Sequence, residues 1–366
     1  MHKLFNETDI LNYVKTEVDL GFSKDLSVSK LEKGRVNHIY RISDNTCRRS
    51  VIFKQSDKQA TRINSTVLGA VDLPLERNNN EVQALSLINS INPAFAPVVL
   101  NNNKENYFFI MEDLVGFDDV RDTLLAGTVV PGFCSEITRI MISIFNESNK
   151  HLANFGRNYC MKEILYALLF QIPFSKNVIL SNKALVDCNY FLQMFQKIDI
   201  QNHISTASGL LFNKPQVLLN GDLHFGSICH KDNQYKFYDY EFAFFGPMGY
   251  DAGKVLAHLI LAYVYQNYRN LKSNCEILCA EIETYFNSFI EAYPSSDIGS
   301  HICIFCGIEL ISRVTGILQL QYILGINEME YRDQVQKSIL DIAIKFLEND
   351  KLIENGEELL GYVKGI

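Results

Sequence analysis

Apolar and polar residues alternate in short runs over the first 110 positions, and the texture then changes to long helical periods. VNHIYRI at 36–42 and RSVIFKQ at 49–55 are rich in β-branched and aromatic residues and are separated by SDNTCR, a hairpin-length turn. A helix follows, because Glu81, Ala84, Leu85 and Ile88 recur at three- and four-residue intervals. APVVLNNNKENYFFIMEDL then reads as strand, Asn-rich turn and strand, ending at Glu112-Asp113. Beyond residue 117 the pattern predicts helices over 135–155, 190–198, 251–268, 272–290, 299–324 and 329–348. Between 216 and 245 it returns to strand and loop. The order predicts an α+β protein with a small β-rich N-terminal lobe over 1–113 and a larger, mainly helical C-terminal lobe over 114–366.

Composition narrows the class. With 47% apolar residues in 366, the chain is globular rather than disordered. A net charge of -8 opposes diffuse attraction to nucleic acid or to acidic lipid. The N-terminal residues lack a signal-peptide pattern, and 255–268 is too short for a confident span, so a cytoplasmic protein off the membrane is expected. Nine cysteines form no secreted-scaffold pattern. Cys303 and Cys306 lie in the apolar run HICIFCGIELI and read as buried thiols rather than metal ligands.

The candidate chemistry gathers in two acidic places that follow short strands, LLNGDLHFGS and YKFYDYEFAFFGP. Residues two apart on an extended segment point the same way, so Asp239 and Glu241 can face one Mg²⁺, which prefers hard oxygen ligands. Asp222 is then the carboxylate that orients an acceptor hydroxyl and takes its proton late in a phosphoryl transfer. His224 assists there or, more simply, holds the loop, and Ser227 either caps the loop or offers an oxygen near the metal. Lys54, in an apolar strand, needs an acid or a phosphate, and Glu81 is an available anchor. Gly34 precedes a strand without forming a Walker-type or dinucleotide-type glycine run.

NGDLHFGSI followed by DYEFAFFGPMGYDAG resembles the methylthioribose kinase family, within the aminoglycoside-phosphotransferase-like and protein-kinase-like superfamily. Weaker similarity extends through GRVNHIYRI, SVIFKQ, LPLERNNNEVQAL, MEDL and NYCMKEILYALLFQIPF. The resemblance implies a bilobal protein-kinase-like fold, ATP with Mg²⁺, and phosphorylation of the 1-hydroxyl of 5-methylthioribose in methionine salvage, commonly by a homodimer. It puts Asp222 in the catalytic position and Asp239 and Glu241 on the metal. Gly34 and Asn37 fall in the phosphate loop, Lys54 contacts ATP with Glu81 behind it, and Glu112 and Leu114 lie at the adenine hinge. His224 and Arg313 fall on the sugar side, although Ser312 stands where the family carries the first of two arginines. That departure leaves as an alternative a related kinase for another small hydroxylated or amino substrate, and Arg35, Asn220 and Tyr240, which also depart from the family's pattern, leave a non-catalytic nucleotide-binding homologue as another.

Overall fold

A computed structural model describes residues 3–31, 36–58, 73–156, 158–294, 297–317 and 321–364. The chain divides into two compact units. One comprises 1–117 with 158–161 and 236–243, and the other comprises 118–157, 162–235 and 244–366.

The first unit is an antiparallel sheet of five strands. In chain order these are β1 (Leu26–Lys30), β2 (Asn37–Asp44), β3 (Arg49–Ser56), β4 (Val99–Asn103) and β5 (Phe108–Glu112), arranged β1-β2-β3-β5-β4. Alternation on β3 separates two jobs. Val51 and Phe53 join Tyr40, Ile42, Phe108 and Ile110 in a core closed by Ile10 and Val14 of the Glu7–Thr16 helix. The Phe53 and Phe108 rings sit 4.6 Å apart there. Lys54 falls on the opposite face, level with Ile39 of β2 and Phe109 of β5. The Arg77–Ile91 helix supplies its partner, because the spacing that buries Ala84, Leu85 and Ile88 also buries Glu81.

The N-terminal helix Glu7–Thr16 was not apparent from the apolar pattern, since only Ile10 and Val14 mark its buried face. Its start is signalled differently. Asn6 and Asp9 form a reciprocal capping box that satisfies backbone donors at the helix start.

The second unit is mainly helical, led by Phe133–Ser148, Gly249–Tyr268, Lys272–Ala292, Ile298–Thr315 and Met329–Glu348. Glu281 reaches from Lys272–Ala292 to accept the Cys134 amide at 2.9 Å, capping the Phe133–Ser148 helix from outside. At Gly253 a side chain would lie 2.7 Å from the Ile302 carbonyl, so the Gly249–Tyr268 and Ile298–Thr315 helices cross almost backbone to backbone. Ile298–Thr315 is long and apolar enough by composition to cross a membrane, but 89% of it is buried within the protein, as befits a core helix. Cys303 and Cys306 are buried in it as free thiols.

The continuous helix expected over 299–324 is corrected. It ends at Thr315, and Gln321–Leu324 forms a separate short turn of helix. Gly316 leaves the helix in an extended conformation, with its amide on the Ser312 carbonyl at 2.9 Å. A Cβ there would strike that same carbonyl, and because the residues that follow are still apolar in sequence, the apolar pattern gives no sign of the helix end at Thr315.

Candidate active site

In the first unit, Lys54 is 4% exposed and its Nζ donates to Glu81 Oε1 at 2.7 Å and to Asp239 Oδ1 at 2.6 Å. Burial alone would lower its pKa, but the carboxylates of Asp239, Glu81 and Glu241 raise it above the ordinary lysine range. Asp239 adopts a left-handed backbone with φ of +65°, which Asp tolerates better than most side chains. Its side chain remains 45% exposed, whereas that of Glu241 is 5% exposed. Glu241 Oε2 accepts from Arg77 Nε at 3.0 Å and from Asn37 Nδ2 at 3.0 Å. The segment between the two acids is fastened by Asn158, whose Nδ2 donates to the carbonyls of Glu241 and Ala243.

Glu81, Asp239 and Glu241 thus place three carboxylates against the cations Lys54 and Arg77. Burial and the neighbouring acids push Glu81 up to about 7 and raise Glu241 as well. The hard oxygens of Asp239 and Glu241 fit a divalent cation. Among the described residues no group of three or more His, Cys, Asp or Glu is arranged to hold a metal. A cation here would complete its shell with water or phosphate, the habit of Mg²⁺.

In the second unit, Val217–Leu219 pairs with Phe244–Gly246 and launches the loop that carries Asp222. The loop is held by its backbone. Gly221 turns with φ of +86°, and Asp251 accepts the amides of Asn220 at 2.6 Å and Gly221 at 3.3 Å. Tyr250 donates its hydroxyl to the Gly221 carbonyl at 3.0 Å, and Asn220 Oδ1 accepts the Asp222 amide at 3.2 Å. Ser227 Oγ accepts the His224 amide and donates to the His224 carbonyl, while His224 Nδ1 accepts the Gly226 amide at 2.9 Å. These are the bonds of residues that cap and brace a turn.

Asp222 Oδ1 lies 3.0 Å from Lys254 Nζ and 3.5 Å from Arg313 Nη2, and Oδ2 lies 4.0 Å from His224 Nε2. Burial works to raise the Asp222 pKa, but Lys254, His224 and Arg313 together hold it below the ordinary carboxylate range. A carboxylate kept ionised beside an open oxygen can accept a hydroxyl hydrogen bond. Ser312, the neighbour of Arg313, is buried with its Oγ 3.4 Å from the Leu168 carbonyl.

The remaining sequence candidates fall as follows. Asn37 is not free toward a ligand, because Arg77 Nη2 donates to its Oδ1 at 2.9 Å while its amide holds Glu241. Glu112 accepts from Lys236 Nζ at 2.6 Å, and its amide donates to Val98. The Leu114 carbonyl accepts the Phe117 amide at 3.1 Å. Gly34 lies outside the described residues.

Sequence reasoning missed Arg77, Lys254 and Glu309. A signal existed for two of them. Asp251, Lys254 and His258 recur at helical spacing inside an otherwise apolar helix, and Glu309 and Arg313 recur four apart in another. Buried charges at such positions need partners.

The titration of these clusters has a sign. Burial also pushes Asp251 up to about 7, against the amides that favour its ionised form. A carboxyl whose folded pKa is raised contributes its full stability below the unfolded value, near 4, and loses it as pH climbs through about 7. Lys54 titrates far above this window. In urea melts of the metal-free protein these carboxyls are therefore expected to give a fall in stability between about pH 4 and 7, while His258, pushed down to about 3 by burial, works in the opposite sense up to its unfolded value. Glu81 accounts for up to about 3 kcal/mol of that fall, and Glu81→Gln flattens the slope. An identical slope in wild type and variant contradicts this assignment.

The sheet with its lysine–glutamate pair, followed by the helical remainder and its loop aspartate, is a protein-kinase-like fold. A choline kinase from Cryptosporidium parvum superposes with a TM-score of 0.54 at 16% identity, covering 96% of this chain and 99% of that one. A choline/ethanolamine kinase family protein from Mesorhizobium loti gives 0.53 at 10% identity, covering 98% and 99%. In sequence, the chain is similar to curated methylthioribose kinases. That of Bacillus velezensis is 24% identical over 363 residues, 93% of this chain and 91% of the relative. That of Exiguobacterium sibiricum is 28% identical over 307 residues, 80% and 75%. No family model matches the chain. The family that the GDLH and EFAFFGPMG motifs resemble is thus the one named by its curated relatives.

Proposed function

We propose that the protein is an ATP-dependent kinase that phosphorylates the 1-hydroxyl of 5-methylthioribose, the step that its relatives' name describes, in methionine salvage. The observation that carries this reading is the buried Lys54, gripped by Glu81 and offered to Asp239, in a chain similar to methylthioribose kinases over most of its length. In this reading residues 1–113 form the ATP-binding lobe, with Gly34 in the phosphate loop and the Glu112–Leu114 backbone receiving adenine. Asn37 acts indirectly, by seating Glu241. Lys54 takes the nucleotide phosphates, with Glu81 fixing its direction. A Mg²⁺ on Asp239 and Glu241 would neutralise charge on the β- and γ-phosphates.

Residues 114–366 supply the acceptor side. Asp222 Oδ2 orients the sugar hydroxyl and receives its proton as the new O–P bond forms and the bond to the ADP leaving group breaks. Arg313 steadies Asp222 and the sugar, His224 lies beside the same oxygen, and Ser227 keeps that turn closed. Among the described residues, Asp222 and Glu309 are paired with Lys254 and Arg313, which favours a neutral acceptor over a cationic one.

The test is ADP production from Mg²⁺–ATP with methylthioribose, set beside ribose, choline, ethanolamine and an aminoglycoside. Turnover is expected with methylthioribose above the rest. Efficient turnover of choline with none of the sugar would overturn the acceptor, and nucleotide binding without transfer to any acceptor would overturn the enzyme. Sedimentation of the purified chain tests the homodimer that belongs to the same reading.

A further inference from the structure

Two of the most apolar helices in the protein aim charged side chains at one carboxyl oxygen. Lys254, from Gly249–Tyr268, is 1% exposed, with its Nζ 3.0 Å from Asp222 Oδ1 and 3.2 Å from Glu309 Oε2. Arg313, from Ile298–Thr315, donates through Nε to Glu309 Oε1 at 2.6 Å and places Nη2 3.5 Å from the same Asp222 oxygen. Apolar side chains would fill this space at least as favourably for folding, because desolvating ions is costly even when they pair. The arrangement therefore calls for a reason beyond packing.

Its asymmetry supplies one. Both cations meet Oδ1, while Oδ2 lies toward His224 at 4.0 Å. We propose that Lys254 is a positioning residue for the phosphoryl transfer: it pins Oδ1 so that Oδ2 alone is presented to the acceptor hydroxyl. This rests on the reading of Asp222 as the acceptor-orienting group.

The charged and titratable neighbours among the described residues enter the balance. Lys254 and Arg313 favour the ionised carboxylate, as does His224 from the same loop. Glu309 opposes it. Tyr250 is raised far above its ordinary range by burial and stays neutral. Asp251 holds the Asn220 and Gly221 amides, and burial pushes His258, behind Glu309, down to about 3. Without Lys254, Asp222 and Glu309 would share one guanidinium, and Asp222 would take up a proton more readily.

The test uses the full chain with Lys254→Met, Lys254→Arg and the double variant Lys254→Met/Glu309→Gln. The double variant leaves no buried carboxylate short of a partner and so guards against a folding failure. Lys254→Met is expected to lower kcat about tenfold to a hundredfold, the scale of a misplaced reacting group. The KM for ATP should hold, and the acid limb of the kcat profile should move to higher pH. Lys254→Arg should restore most of both effects, and the double variant should keep the low kcat while its acid limb moves back. An unchanged kcat and acid limb in a folded variant lacking Lys254 overturns the inference.

If the wild-type protein phosphorylates no acceptor, the functional reading fails by itself. The same inference is then read from carbon-13 carboxylate NMR, with the Asp222 signal assigned by its loss in Asp222→Asn. A carboxyl titration that moves to higher pH in Lys254→Met supports the pinning, and one that does not move sinks it.

Discussion

Replacing Asp222 with asparagine is expected to lower methylthioribose-dependent ADP formation by at least about a thousandfold, within the range that a positioned proton acceptor contributes. Asparagine keeps the size of the side chain, and the loop is held by groups that the substitution leaves alone. Those are Asp251 on the Asn220 and Gly221 amides, Tyr250 on the Gly221 carbonyl and Ser227 within the turn. The acceptor hydroxyl would lose its anionic partner, and Lys254 would retain Glu309 as its counter-charge. Calorimetric affinity for a non-hydrolysable ATP analogue should therefore stay near wild type while turnover disappears. Turnover within tenfold of wild type would remove Asp222 from the chemistry. Loss of nucleotide affinity of the same size would make it a binding residue instead.

The sequence revealed those parts of the site that repeat locally. Lys54 stands out because a charge in the strand SVIFK must fall on one face or the other, and Glu81 because it shares the helical period of Ala84, Leu85 and Ile88. Asp239 and Glu241 stand out through the motif around them, but the extended backbone on which their two-residue spacing was read is not there, because the strand ends at Phe237 and Asp239 has a φ of +65°. What remained hidden is the set of partners that decides what each acid can do. Arg77 is 164 residues from Glu241, and Glu309 is 55 from Lys254. No local period brings such residues together. The backbone at Asp239 was equally invisible, because a positive φ at an aspartate is imposed by the surrounding fold. The helix end at Thr315 was missed for the opposite reason, since the apolar period in the sequence runs on past it.

Asp239→Asn should separate stability from function most sharply. Asparagine is among the few residues that tolerate a φ of +65°, so the turn is preserved. The carboxylate that it removes is 2.6 Å from Lys54 and raises the pKa of both Glu81 and Glu241. Its loss leaves Lys54 paired with Glu81 at 2.7 Å and Arg77 with Glu241 at 3.0 Å, two cations against two anions. The metal-free variant is therefore expected to melt at or above the wild-type temperature. Mg²⁺–ATP should fare the other way, because one of the two acids proposed for the cation is gone and the Lys54 amine is held by Glu81 alone. Turnover should fall about a hundredfold or more, and the rise in melting temperature that Mg²⁺–ATP gives the wild type should shrink or vanish. A melting temperature that collapses along with activity would mean that Asp239 serves the fold. A full ligand-induced rise in the variant would mean that the cation is held elsewhere.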